Sequence, residues 1–131
     1  MSGASPGHQK WPDHQVQELP EQREMQVDID GLLIARSSGV IKVVEDGAVE
    51  RYYFPRSAVH MESLRPSQDT TVCPFKGRAS YFDIAPVAPG QDSLKDAAWS
   101  YEDPYDEHAA LKDRVAFADD KFAQLSVHAS A

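Results

Sequence analysis

From Met25 onward, apolar and polar residues alternate with a period of two, which sends successive side chains to opposite faces of an extended strand. Val27 and Ile29 share one face, with Gln26, Asp28 and Asp30 opposite, and Asp30-Gly31 reads as a tight hairpin turn into Leu32-Leu33-Ile34-Ala35. A second unit follows. Ile41, Val43 and Glu45 share a face, Asp46-Gly47 turns the chain, and Val49 to Phe54 runs back until Pro55, which cannot donate to a strand ladder. Further strands are predicted over Met61 to Leu64, Thr70 to Val72, Ala79 to Ile84, Ala97 to Tyr101, Arg114 to Ala118 and Ala123 to Val127. Loops are predicted over Arg65 to Asp69 and over the Pro-, Gly- and Asp-rich stretch Ala85 to Asp96. Only Asp106 to Lys112 predicts a helix, with acids suited to a first turn and Ala109, Ala110 and Leu111 as good formers. Many short strands with one short helix near the C-terminus predict a mainly β fold of sandwich, barrel or folded-sheet type.

Residues 1 to 24 lack this alternation and gather Pro6, Gly7, Pro12 and Pro20 with Gln at 9, 15, 17 and 22. They predict a flexible N-terminal arm, leaving residues 25–131 as a single β domain. Trp11 either docks on the domain surface or belongs to a short helix across a groove, and a helical turn over Asp13 to Leu19 fits the composition. His8 and His14 lack convergent partners in such an arm and read as solvated.

Composition narrows the function classes. A chain of 131 residues supports one core, and 13 Lys plus Arg against 21 Asp plus Glu leaves a net charge of −8, which repels a nucleic acid backbone. The longest aliphatic run near the start of the domain, Leu32 to Ala35, is far too short to cross a bilayer, so no membrane partner is expected. The first residues lack a secretory signal, and a single cysteine forbids an internal disulfide or a cysteine-based zinc knuckle. A cytoplasmic, reducing setting follows, with no metal and no cofactor expected, since the usual phosphate, dinucleotide, serine-hydrolase and zinc-protease signatures are missing.

The densest chemistry lies in Cys73-Pro74-Phe75-Lys76-Gly77, between two predicted strands. Pro74 holds Cys73 in extended geometry, and a cation three residues on would favour the thiolate, making Cys73 a nucleophile; the alternative is a small buried hydrophobe. Gly77 reads as a positive-φ turn. Glu45 shares a face with Ile41 and Val43, where a carboxylate needs a partner such as Arg56, Lys76 or a tyrosine hydroxyl, unless Glu45 already marks the solvated strand end. Tyr53, Tyr81, Trp99 and Tyr101 combine apolar rings with polar handles, which suits both a ligand pocket and a β core. Glu102, Asp103, Asp106 and Glu107 form an acidic patch without calcium-loop spacing.

Taken together, Tyr53-Phe54-Pro55-Arg56, Cys73-Pro74-Phe75-Lys76-Gly77-x-Ala79-x-Tyr81, Ala98-Trp99-x-Tyr101-x-x-Pro104 and Val115-Ala116-Phe117 resemble a widespread bacterial and fungal domain family of unknown function, sometimes labelled nucleotidyltransferase-like. The resemblance covers about Val27 to Ala118. It implies a β-tent-like fold, a metal-free relative of methionine sulfoxide reductase B and Mss-type folds without their paired cysteine knuckles. Arg36 stands where the family pattern has an acid, and Ser57-Ala58 where it commonly has Glu-Asp, so carboxylates of the pattern are missing at both places. The nucleotidyltransferase label finds no Gly-Ser and paired Asp for two-metal phosphoryl transfer.

The leading expectation is a small-molecule enzyme with a pocket around Cys73 and Lys76. Cys73 would be nucleophile or polar contact, Lys76 and Arg56 would hold an anionic group, Glu45 or Tyr53 would serve as acid or base, and Trp99, Tyr101 and Tyr81 would contact a small organic ligand. The alternatives are a non-catalytic binder using the same pocket and a protein-interaction module using the acidic surface and the arm.

Overall fold

The computed structural model describes residues 3–130. Ten strands form three antiparallel sheets among these residues, so the protein is mainly β as its alternation predicts. The strands are β1 (Val16–Pro20), β2 (Met25–Ile29), β3 (Leu32–Ser37), β4 (Ile41–Glu45), β5 (Arg51–Tyr53), β6 (Leu64–Cys73), β7 (Gly77–Ile84), β8 (Leu94–Ser100), β9 (Val115–Phe117) and β10 (Leu125–Ala129). One short helix, α1 (Pro6–Lys10), precedes them. The sheets run β1-β4-β5, β10-β2-β3 and β6-β7-β8-β9. No helix of the described residues is long and apolar enough to cross a membrane.

The four-stranded sheet is the centre of the packing, because both of its faces are covered. Phe82, Ile84, Ala98, Val115 and Phe117 point into a core shared with Val27, Ile29, Ile34 and Leu125 of the β10-β2-β3 sheet. The alternate residues Ala79, Trp99, Tyr101 and Ala116 point the other way, against Val43 and Tyr53 of the β1-β4-β5 sheet. Being covered on both sides makes Ala97 to Tyr101 continuously buried, where a half-exposed strand would alternate. Phe54 ties two sheets together: its backbone exchanges two 2.9 Å hydrogen bonds with Val115, and its ring meets Phe117 edge-on at 5.9 Å.

The predicted Asp30-Gly31 hairpin forms, and φ values of 48° and 84° give both central residues the left-handed backbone that such a turn needs. Elsewhere the elements shift. Met61–Ser63 is a 3-10 turn that delivers the chain to β6 at Leu64. The turn-rich Arg65 to Asp69 lies within β6, where the register jumps from Pro66↔Phe82 to Thr70↔Ser80, so the turn residues make a bulge and not a loop. Asp106–Leu111 consists of 3-10 turns broken at His108, a segment too short and uncapped to sustain an α-helix.

The stretch read as an arm is built into the fold. β1 pairs along its length with β4, from Val16↔Glu45 to Pro20↔Ile41, so the helical turn expected over Asp13 to Leu19 is extended from Val16 on. Pro6 sits in the first turn of α1, where its missing N–H costs nothing, and Ser5 caps the helix through its hydroxyl. The Gly7 N–H donates to the Pro74 carbonyl at 2.8 Å, and the Ser5 hydroxyl donates to the same oxygen at 2.8 Å. A side chain on Gly7 would place its Cβ 2.6 Å from that oxygen and 2.8 Å from the Phe75 ring. Gly7→Ala should therefore lower stability by about 1–3 kcal/mol through overpacking. Urea unfolding checks it, and an unchanged midpoint would show that the segment does not press on Pro74.

Candidate functional site

The turn joining β6 to β7 is held from several sides. Gly77 has φ 126°, a backbone that side-chain-bearing residues rarely adopt, and a Cβ there would meet the Pro104 backbone at 3.2 Å. The Lys76 carbonyl accepts the Tyr105 N–H at 2.9 Å, and the Lys76 N–H donates to Cys73 Sγ at 3.4 Å. Phe75 is packed by the N-terminal segment, with His14 stacked on it at 4.2 Å and His8 against its edge at 4.9 Å. This clamp aims the Lys76 side chain inward, where only 9% of it stays accessible.

A buried ammonium needs a counter-charge, and Glu45 at the end of β4 supplies it. Glu45 Oε1 contacts Lys76 Nζ directly, while His14 Nε2 lies 3.0 Å from Glu45 Oε2. Burial opposes ionisation of Glu45, but the hydrogen bonds from Lys76 and His14 outweigh it and hold the carboxyl below its ordinary range.

Lys76 and Glu45, with His14 behind Glu45, face a cavity of about 220 Å³. Its aromatic wall is made by Tyr53 of β5, Tyr81 of β7, and Trp99 and Tyr101 at the end of β8. Trp99 Nε1 donates to the Tyr53 hydroxyl at 3.1 Å, and Tyr53 and Trp99 meet edge-on with centroids 6.4 Å apart. Burial pushes the Tyr53 and Tyr101 hydroxyls far above the ordinary tyrosine range, so both remain neutral donors at physiological pH. Arg51 lies over the Trp99 ring at 4.9 Å and is also held by Asp120 at 2.9 Å. Lys121 and Asp96 complete the charged lining, giving three cations against two carboxylates.

Six of the residues singled out in the sequence meet here: Glu45, Tyr53, Lys76, Tyr81, Trp99 and Tyr101. Two do not line the cavity. Cys73 is half-buried beside the aromatic cluster and receives the Lys76 backbone N–H, while the Lys76 ammonium turns to Glu45. Arg56 lies on the opposite face of the central sheet, over the Phe82 ring, donating to Ser100 Oγ at 2.9 Å and to the Asp113 carbonyl at 2.8 Å. The cations that reach the cavity beside Lys76 are Arg51 and Lys121. Arg51 was legible, since period two places it on the face of Tyr53. His14 could be placed only by the pairing of β1 with β4, and Asp96 and Lys121 follow no pattern local to the chain. Among the described residues no group of three or more His, Cys, Asp or Glu is placed to hold a metal ion.

Comparison with known families adds one result. The model of the family described as "Domain of unknown function (DUF427)", NTP_transf_9, matches residues 17–128. The chain belongs to this family. The DUF427 match spans every residue lining the cavity, from Val43 to Lys121, and starts after His14. A search of curated proteins finds no match.

Glu45 has a testable signature. With its carboxyl held below the ordinary value of 4.5, it contributes stability above that pH and loses it as pH falls through the lowered value. Glu45→Gln leaves the Lys76 charge unpaired, so it should cost on the order of 3 kcal/mol at pH 7. The gap to the unsubstituted protein should narrow as pH drops below 4.5. Urea unfolding across that range measures both effects.

Proposed function

We propose that this DUF427 domain binds a small organic anion in the cavity between β4, β5 and the central sheet. The observation that carries the reading is an aromatic cavity lined by three cations and two carboxylates in a chain whose net charge is −8. Three cations gathered at one cavity of an acidic protein mark the place where an anion can be held, and the charge of the whole molecule disfavours a long polyanion such as nucleic acid. Glu45 already pairs with Lys76 and Asp120 with Arg51, while Lys121 carries no such pair among the described residues. Tyr53 and Tyr101 would donate hydrogen bonds, Arg51 and Lys121 would face the anionic group, and the Trp99 and Tyr81 rings would cover the apolar part. The single free thiol fits a reducing, cytoplasmic setting, which we propose as the location.

An enzymatic role is supported by one arrangement in particular. Glu45, Lys76 and His14 form a line of groups able to pass a proton, with the first two facing the cavity. Catalysis through Cys73 would need the thiol to reach the ligand from behind that wall.

Acetate, benzoate and inorganic phosphate serve as probes, followed by Trp99 fluorescence in a Trp11→Phe background, which leaves Trp99 as the reporter. Binding should weaken as salt rises. Tyr53→Phe should weaken it by about twofold to tenfold, the effect of one hydrogen bond. Lys121→Ala should weaken it by about threefold or more, as loss of a charge-assisted contact does. Arg36→Ala, an exposed control paired with Glu24, should leave it unchanged. Absence of any saturable response to all three probes would reject the anion site.

A further inference from the structure

We propose that Lys76 is a carbonyl-reactive amine and that the anion taken up by the cavity is a small 2-oxo acid, which joins Lys76 as an imine; this rests on the reading of the cavity as an anion site. Lys76 is the buried lysine among the described residues, and it lines the cavity together with Glu45, which its ammonium contacts. A simple anion gains little from that ammonium, because Glu45 already neutralises it at direct contact. A carbonyl carbon does not compete with Glu45; it uses it.

The step balances with groups already in place. One ammonium proton passes transiently to Glu45, against the hydrogen bonds that keep this carboxyl ionised, and the neutral amine formed in that moment adds to the carbonyl carbon. A second proton moves from nitrogen to the former carbonyl oxygen. Glu45 returns the first proton to the resulting hydroxyl, which departs as water. The ammonium and the oxo acid thus become a protonated imine and one water, with the Glu45 carboxylate restored.

The Tyr53 hydroxyl is set to assist. Its oxygen accepts the Trp99 N–H, and an indole can only donate, so the phenolic proton has no acceptor among the described residues and is available to a ligand oxygen. Burial of both tyrosines keeps that proton in place. Lys121 lines the same cavity and suits the carboxylate next to the carbonyl, beside Arg51, whose guanidinium is already held by Asp120.

The full chain is incubated with glyoxylate and sodium cyanoborohydride, which reduces an imine to a stable amine, and the adduct is located by intact mass and peptide mapping. Acetate, which has no aldehyde or ketone, is titrated in parallel by Trp99 fluorescence in the full-length Trp11→Phe variant. The proposal expects one adduct at Lys76, formed about a hundredfold faster than at exposed lysines such as Lys95, at the lower end of what positioned proton transfer contributes. Acetate should slow it by occupying the site, and Glu45→Gln should slow it by removing the proton acceptor. Adducts confined to exposed lysines, with acetate still altering Trp99, would overturn the imine and leave the anion site standing. Adducts confined to exposed lysines with no acetate response would overturn both.

Discussion

A charged amine cannot be taken out of water without a counter-charge held in place, and the Lys76–Glu45 pair imposes that condition on the surrounding structure. The two residues sit 31 positions apart, so meeting requires β4 and the β6–β7 turn to be located independently and to fine tolerance. β4 is located by pairing with β1 on one side and β5 on the other. The turn is located by the left-handed Gly77, the hydrogen bond from Tyr105 and the packing of Phe75 under His8, Trp11 and His14. Such a pair contributes less to net stability than its contact suggests, because desolvation offsets most of the attraction. Its effect is on position: it holds one amine at the wall of an aromatic cavity.

The central sheet explains why that space exists. Covering both faces leaves alternate residues of β8 to serve different ends, with Ala98 in one core and Trp99 and Tyr101 in the other. The first core combines aliphatic side chains with the wholly apolar rings of Phe54, Phe82 and Phe117. The second carries large rings with polar tips, and the Tyr53 oxygen satisfies the buried Trp99 N–H. Tyr53 from one sheet meets Trp99 of the other edge-on, and these rings with Tyr81 and Tyr101 line the cavity between the two sheets.

How legible this was depends on the interaction that placed each part. The alternation through Val27, Ile29, Ile41, Val43 and Ala79 to Ile84 marked strands correctly, since those strands bury one face or both by hydrophobic contact. β1 left no such trace. It is an edge strand held mainly by its backbone ladder to β4, and its half-exposed side chains can be as polar as Gln17 and Glu18. The same blind spot hid His14, whose role exists only because β1 pairs with β4. Arg56 misled for a related reason: it adjoins Tyr53 and Phe54 in the chain, but the turn after Pro55 carries it to the far face of the central sheet.

The sequence by itself determined the mainly β class, the hairpin at Asp30-Gly31, the special backbone at Gly77 and the residue types of the aromatic wall, because each follows from properties of neighbouring positions. It also offered Arg56, Lys76 or a tyrosine hydroxyl as partners for Glu45, beside a solvated strand end with none. Only the tertiary structure decided that the partner is Lys76, that His14 backs the same carboxylate, that Arg51 and Lys121 reach the cavity, and that Arg56 does not line it. Those outcomes depend on which strands lie beside one another and which face of a doubly covered sheet a residue meets, and period-two alternation separates two faces without saying what covers either.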